Sequence, residues 1–281
     1  MRTTGAAAWI APLLLLVCGV LVTYPLIYLV IESLNIGDAQ TFPPEEYGIG
    51  NYGELFEEPK IILNTLLVAC SATVMAVFFG FVQAWILTRT AIPGLERLAR
   101  LMQLPYYMTP LIGALSWGVL LGPKTGLVNQ IWRGIGFSSD LFNIYSPWGI
   151  AWVMALFEGT VAFVMISASM KSMDPSLEES SRVLGASKLR SARKILLPLM
   201  TGGILAGFIT SFSTAAVELS ATLMLVQSSD DAPLVYGLYV FMQSAAGRGP
   251  GAALGVLAVL LVAACTYLSH LVIEKTQSAK G

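Results

Sequence analysis

The chain has 281 residues, of which 56% are hydrophobic and only 12% are charged, with a mean hydropathy of +0.72. This apolar share exceeds that of a soluble globular domain and therefore predicts an integral membrane protein. The net charge of −1 at pH 7 carries no information about partners, and no nucleic-acid partner is expected.

Six apolar segments follow one another along the chain. A transmembrane helix needs about 20 predominantly apolar residues, and each segment offers that length. Their approximate bounds are 6–31, 61–87, 101–121, 148–170, 202–226 and 251–272. The fifth segment belongs to an apolar run from Ile195 to Val226, which is longer than one crossing requires, so a tilted or interrupted span is expected. We therefore predict an all-α, polytopic membrane protein in which residues 1–281 form a single transmembrane domain.

The distribution of lysine and arginine predicts how the spans are oriented. With the N-terminus inside, six spans place 12 of the 16 basic residues in the cytoplasm, whereas seven carboxylates lie in the external loop 32–60. The positive-inside rule therefore favours cytoplasmic N- and C-termini. In the second external loop, apolar residues recur at helical spacing over 127–135 and predict an amphipathic helix at the membrane surface.

The most charged stretch of the chain, residues 171–198, separates the fourth and fifth spans. We call it the charged hairpin, because its sequence predicts two short helices joined at a glycine. Asp174 suits the N-cap position and Pro175 the first helical position. Gly185 suits the left-handed position that ends a helix, and Ser187 can cap the second helix.

The spacing of residues in the charged hairpin resembles a known signature. The pattern resembles the E-A-A, G, I-x-L-P signature of ABC importer permeases. It consists of Glu179-Ser180-Ser181, three residues, Gly185, nine residues, Ile195, one residue and Leu197-Pro198. Two serines stand where that family commonly has alanines, and both are small. In that family the hairpin is the coupling-helix region, which docks into a groove on a separate ATPase subunit. The resemblance implies a set of ATPase-coupling residues: Asp174, Pro175, Glu178, Glu179, Ser180, Ser181, Gly185, Ala186, Ile195, Leu197 and Pro198.

Most of the chain beyond the first loop, and 148–242 most strongly, resembles the ferric-iron, polyamine and aminophosphonate branch of type I importers. Members of that branch are also similar in the regions of Leu104-Pro105-Tyr106 and Asn143-Ile144-Tyr145. The resemblance implies a permease of the bacterial inner membrane that works with cytoplasmic ATPase subunits and a periplasmic substrate-binding protein. Members of that branch often carry two six-helix units in one polypeptide, whereas this chain carries one. We therefore expect it to pair in the lipid bilayer with a second permease subunit or with a copy of itself.

Several chemistries have no motif in this sequence. There is no G-x-x-x-x-G-K-[ST] loop, so ATP has to be bound by a partner chain. Neither H-E-x-x-H nor G-x-S-x-G appears, and the single histidine, His270, has no second metal ligand at a suitable spacing. The sequence thus predicts a transport subunit that is not an enzyme, with no cofactor and no metal site of its own.

Two carboxylates, Glu158 and Glu218, lie inside apolar segments. Because a charge near the bilayer centre costs roughly 3 kcal/mol, each is a candidate for the translocation path. The stretch from Glu218 to Thr222 resembles an E-[FLY]-[GS]-A-T-like stretch near the pathway of several importer permeases, which adds Ser220 and Thr222. The alternatives are a locally hydrogen-bonded Glu218 and an interhelical hydrogen bond at Glu158.

The two carboxylates also permit a different class of function. An ATP-independent secondary transporter or channel would use Glu158 and Glu218 as ion sites. Such a protein is expected to contain an internal inverted repeat, and the sequence shows none. Among cargoes of an importer, the carboxylates favour ferric iron, a polyamine or an aminophosphonate.

Overall fold

The computed structural model is built from helices over the residues that it describes, which are 5–37, 43–57, 60–90, 93–174, 176–244 and 248–278. For 5–10, 54–57, 96, 188–189, 269 and 272–278 it describes the backbone alone. Within these ranges there is no β-strand, and a single isolated antiparallel bridge joins Asn35 to Tyr47. The predicted all-α class is confirmed.

The described helices differ widely in length. The longer ones, of twenty residues or more, are α1 (Gly5–Ser33), α3 (Lys60–Arg89), α7 (Pro147–Lys171), α10 (Leu197–Ala216) and α13 (Arg248–Ser278). The shorter ones are α2 (Gly50–Glu57), α4 (Leu95–Met102), α5 (Pro110–Leu121), α6 (Leu127–Gly134), α8 (Ser176–Val183), α9 (Lys188–Ser191), α11 (Ser220–Leu225) and α12 (Leu234–Gln243).

Five helical segments of the described chain are long and apolar enough to cross a membrane. They are Ala11–Ser33, Lys60–Arg89, Pro147–Lys171, Ala192–Ala216 and Arg248–Leu268. A bent pair, Arg97–Tyr107 and Pro110–Leu121, adds a sixth if it counts as one span. The described chain thus has five or six candidate spans, which is consistent with the predicted polytopic membrane protein.

The third predicted span, 101–121, is not one straight helix. Its two halves meet at 104°. Met108 and Thr109 are extended, with ψ angles of 155° and 144°, and Pro110 opens α5. A proline has no N–H to donate and disfavours the helical conformation in the residue before it, which explains the break at this point.

The bounds predicted for the fifth span, 202–226, are wrong. The helix begins ten residues earlier, at Ala192, and ends at Ala216. The chain leaves the helical conformation at Val217 and starts a new helix, α11, at Ser220. The expected interruption is present, but it lies beyond the end of the long helix.

Three helices, α3, α7 and α10, pack closely because small residues line their contacts. A Cβ added at Gly80 of α3 would lie 2.6 Å from the backbone nitrogen of Phe163 in α7. One added at Gly203 of α10 would lie 2.5 Å from the Ser169 Cβ, and one at Gly207 would lie 3.3 Å from the Ala162 Cα. Buried side chains of these helices and of neighbouring segments form two clusters. One contains Ile150, Met154, Phe212 and Leu225, and the other contains Ile166, Met170, Leu196 and Met200.

The chain divides into two compact units, and the three-helix core belongs to the one formed by 60–236 and 261–281. In the other unit, 1–59 with 237–260, Gly251 and Gly255 lie against neighbouring side chains. A Cβ at Gly255 would lie 3.3 Å from a Leu29 methyl carbon. The Asn51 side-chain amide donates to the backbone carbonyls of Ser33 and Asn35, at 3.0 and 2.8 Å, and fixes the end of α1.

Candidate functional site

The first helix of the charged hairpin, α8, is capped by the residue predicted for that role. The Asp174 carboxylate accepts a 2.9 Å hydrogen bond from the Ser176 backbone N–H. This bond holds the pKa of Asp174 below its usual range, because it stabilises the charged form. Pro175, which was assigned to the first helical position, lies outside the described residues. Glu178 and Glu179 follow in the first turn, where carboxylates complement the helix dipole.

Gly185 adopts the predicted left-handed conformation, with φ of +83°. The Ala186 N–H donates to the Ser181 carbonyl and the Gly185 N–H to the Arg182 carbonyl, both at 3.0 Å. These two bonds form a Schellman motif, which satisfies carbonyls that the end of a helix would otherwise leave unpaired. A Cβ at Gly185 would meet nothing within 4 Å. Glycine is therefore required here by backbone conformation and not by lack of space.

The second helix of the hairpin differs from the prediction. Ser187 caps it as expected, since its hydroxyl oxygen accepts from the Arg190 N–H at 3.3 Å. The helix does not remain short, however. It runs from α9 through one π-helical turn, Ala192–Leu196, directly into α10. Pro198 explains that turn, because its ring displaces carbonyl groups of the preceding turn. The Leu197 N–H therefore donates to the Ala192 carbonyl, five residues back, as in a π-helix.

A buried hydroxyl pair ties the two arms of the hairpin together. The Ser181 and Ser191 oxygens are 2.6 Å apart, and their side chains are 7% and 2% exposed. Ser181 also donates to the Glu178 carbonyl at 2.8 Å, so Ser191 is the donor within the pair. Ser180, the other serine of the signature, is exposed. Nothing in the sequence periodicity pointed to Ser191.

An ion pair joins the hairpin to the end of α3. The Arg89 guanidinium lies 3.5 Å from the Glu178 carboxylate, and their side chains are 17% and 28% exposed. The sequence grouped Arg89 with the other basic residues that flank spans, so its partner was not predicted. The hairpin is thereby attached to three spans: α7 and α10 through the chain, and α3 through this contact.

The outer surface of the hairpin carries two large apolar side chains. Val183 and Leu184 are 88% and 87% exposed and directly precede Gly185. Glu179 and Ser180 are exposed on the same helix. Beyond the glycine, Ala186, Ile195 and Pro198 are half-buried, and Leu197 is exposed. An apolar pair within a charged stretch is the sequence signal that would have identified Val183 and Leu184.

The first intramembrane carboxylate, Glu158, links α7 to α10. Its side chain is 9% exposed, and its carboxyl group lies 3.1 Å from the hydroxyl oxygen of Thr214, a hydroxyl that is also within hydrogen-bond distance of the Thr210 carbonyl. The Ser211 hydroxyl donates to the Glu158 backbone carbonyl at 3.4 Å. These contacts correspond to the alternative of an interhelical hydrogen bond at Glu158. At 1.5 Å per residue, Glu158 lies about 20 Å along α7 from Lys171, where the hairpin begins.

The second carboxylate, Glu218, caps α11. Its two oxygens accept from the backbone N–H groups of Ser220 and Ala221, at 2.8 and 2.9 Å. The buried Thr222 hydroxyl donates to the Glu218 backbone carbonyl at 3.0 Å. Glu218 and Glu158 are near enough to interact electrostatically, so the four path candidates, Glu158, Glu218, Ser220 and Thr222, share one region. Across the described residues, no group of three or more metal-ligating side chains is present.

Comparison with known proteins places these features in a family. Residues 137–278, half of the chain, match the family model described as a binding-protein-dependent transport system inner membrane component. The match contains the charged hairpin and all four path candidates. The sulfate transport system permease protein CysT of Salmonella typhimurium is 28% identical over 91% of this chain and 87% of its own. The molybdenum transport system permease protein ModB of Escherichia coli is 25% identical over 76% and 92%.

Solved structures share the fold. A bacterial alginate ABC transporter in complex with a pentasaccharide-bound periplasmic protein aligns with a TM-score of 0.78 at 18% identity, over 96% of this chain and 95% of that one. The MetNI methionine ABC transporter aligns with a TM-score of 0.61 at 13% identity, over 80% and 98%. The chain belongs to the family of inner membrane components of binding-protein-dependent transport systems, and is a transport subunit.

Proposed function

We propose that this chain is a permease subunit of an ATP-driven importer and that the charged hairpin receives a separate ATPase subunit. The observation that carries the proposal is the exposed pair Val183 and Leu184 at the tip of a rigid, charged element. Two adjacent apolar side chains exposed within a charged segment outside the spans support a contact with a partner protein. Family membership supports this class of function over an ATP-independent transporter or channel.

The structure suggests how a movement of the hairpin reaches the membrane. No flexible linker separates α9 from α10, since one π-helical turn connects them. The hydroxyl pair Ser181 and Ser191 holds α8 against that connection. The ion pair between Arg89 and Glu178 connects α3 to the hairpin, so that α3 moves with it. We propose that ATP binding in the partner moves the hairpin, and that α3, α7 and α10 follow as one closely packed body to expose the path to alternate sides.

The interface is tested by copurification. The protein is produced with its cognate ATPase as wild type, as the double variant Val183→Asp/Leu184→Asp and as a matched control, Tyr47→Asp/Ile49→Asp, in the first loop. Tyr47 and Ile49 are also exposed, at 58% and 76%. The hairpin variant is expected to lose the ATPase while the control retains it. Equal recovery with all three proteins would contradict the proposal.

The rest of the assembly follows from the same proposal. One chain supplies one hairpin and half of a path, so it pairs with a second permease or with a copy of itself. Residues 1–281 act as one permease domain, with both termini in the cytoplasm. A periplasmic binding protein delivers the cargo to the external loops, and Glu158, Glu218, Ser220 and Thr222 lie along the path. ATP is bound by the partner, not by this chain.

We further propose that the cargo is an inorganic oxyanion, either sulfate or the oxyanion of molybdenum. The support is that relatives covering most of this chain are named for sulfate and molybdenum transport. The expectation of ferric iron, a polyamine or an aminophosphonate rested on Glu158 and Glu218 and on the resemblance to that branch of importers, whereas those relatives are named for other cargoes. Both carboxylates are engaged within the protein, by Thr214 and by two backbone N–H groups, which weakens that reasoning.

The cargo can be identified most directly with the cognate binding protein, which binds it before transport. We expect sulfate or molybdate to raise the melting temperature of the cognate binding protein, because a ligand that binds only the native state stabilises it. Ferric citrate and spermidine serve as the comparison ligands. A shift with either of them, and none with the oxyanions, would replace the oxyanion proposal with the cationic one.

A further inference from the structure

A cleft of about 1120 Å³ opens beside the ends of α3 and α7, at the side of the membrane predicted to be cytoplasmic. Its walls come from the end of α3, the turn at Pro93 and Gly94, the helix α4 and the last turns of α7. Along α7 it extends from Lys171 to Phe163, which is about 12 Å at 1.5 Å per residue. The cleft therefore runs from the membrane surface towards the depth of the acyl chains.

Three basic side chains line this cleft, Arg97, Arg100 and Lys171. No carboxylate is among its described lining residues. The Thr88 hydroxyl donates to the Ala84 carbonyl, and the Ser167 hydroxyl donates to the Val164 carbonyl. Neither hydroxyl proton is therefore available for a hydrogen bond to a ligand in the cleft. Arg97 and Lys171 are therefore strong hydrogen-bond donors in the lining of the cleft.

Helix α4 places the mouth of the cleft at the level of the lipid headgroups. Its apolar residues Leu98 and Leu101 are 48% and 61% exposed, while Arg97 and Arg100 of the same helix line the cleft. A short helix with leucines on one face and arginines on another is suited to the membrane interface. Basic pockets between membrane helices on the cytoplasmic side are suited to anionic headgroups.

We infer that this cleft is a binding site for a tetrahedral oxyanion. Guanidinium and ammonium groups form charge-assisted hydrogen bonds with such oxygens, and Arg97 and Lys171 supply them from two different helices. Two sources share this chemistry: an inorganic oxyanion leaving the path, and the phosphate of an anionic phospholipid. The choice of inorganic ions rests on the proposed function, but the presence of the site does not.

The test compares two doubly neutralised proteins. Arg97→Gln/Lys171→Gln removes charge from the cleft, and Arg190→Gln/Lys194→Gln removes the same charge from exposed positions of the hairpin. Binding of radiolabelled sulfate and molybdate is measured by equilibrium dialysis of the full-length protein in phosphatidylcholine nanodiscs. Retention of phosphatidylglycerol is measured by native mass spectrometry after extraction from mixed membranes.

We expect the cleft variant to bind one probe about tenfold more weakly than wild type, as the loss of a charge-assisted hydrogen bond implies, while the control is unchanged. A loss of ion binding assigns the site to the inorganic oxyanion, and a loss of phosphatidylglycerol assigns it to the lipid. Equal behaviour of the two variants in both assays would overturn the inference. Recovery of the ATPase is measured separately, so a failure here is distinguishable from a failure of the proposed function.

Discussion

Gly185 shows how one residue can be required for coupling without making any packing contact. Its φ of +83° is disfavoured for other residues by about 1–2 kcal/mol, more so when the side chain is β-branched. Gly185→Val should therefore disturb the end of α8 and abolish uptake, while membrane insertion persists because the hairpin lies outside the spans. Uptake by whole cells and the amount of protein in the membrane fraction measure the two effects.

Gly202→Val is the matched control for that substitution. Gly202 lies in α10, where a Cβ would also meet nothing within 4 Å, but its φ is not positive. The control is expected to transport normally. Normal uptake by Gly185→Val would count heavily against the role assigned to the hairpin.

The hydroxyl pair inside the hairpin makes a second prediction at the residue scale. Ser181→Ala leaves the buried Ser191 hydroxyl without its acceptor and should cost about 1 kcal/mol. Ser181→Ala/Ser191→Ala removes both partners and should lie closer to wild type than the single variant. Ser180→Ala, at an exposed position, is the control. The thermal unfolding midpoints of the purified proteins test this order, and additive losses in the double variant would refute it.

At the scale of the helices, the close approach of α3 and α7 makes a prediction about packing. A Cβ at Gly80 would meet backbone atoms of α7, which cannot rotate away as a side chain can. Gly80→Val should therefore destabilise the protein by about 1–3 kcal/mol and lower its yield. Gly19→Val, in α1, places the same side chain where nothing lies within 4 Å. If both variants melt at the same temperature, the packing described for α3 and α7 is wrong.

The helices also show which features the sequence could predict. The caps at Asp174, Gly185 and Ser187 were predictable because each depends on a few neighbouring residues. The start of the fifth span was not, since apolar composition cannot show that the helix continues from the charged residues of the hairpin through the π-helical turn before Pro198. Pro105 and Pro110 lie within the third predicted span and favour a break there, but their presence does not set the angle of the bend.

Contacts between distant residues account for what was missed in the candidate site. Arg89 and Glu178 are far apart in sequence, and either one alone resembles an ordinary charge at the end of a helix. The structural role of Ser191 likewise depends on its hydrogen bond to Ser181 across the turn. For Glu158 and Glu218 the sequence left path and structural roles open, and the structure supplies their hydrogen-bond partners, Thr214 and the start of α11.

At the scale of the whole molecule, the charged hairpin has to face the compartment that contains ATP. The positive-inside distribution and the family signature both favour this orientation, and they are independent of each other. Every functional proposal made for the hairpin depends on it, because an ATPase subunit cannot reach an element on the other side of the membrane.

Cysteine labelling measures that orientation directly. Ser187→Cys and Ser229→Cys are introduced into a protein whose own cysteines, Cys18, Cys70 and Cys265, have been replaced, and spheroplasts are treated with a membrane-impermeant maleimide. Ser229 lies in an exposed turn beyond α11 and serves as the external control. We predict labelling at position 229 in intact spheroplasts and at position 187 only after the membrane is opened. Labelling at position 187 in intact spheroplasts would contradict the account.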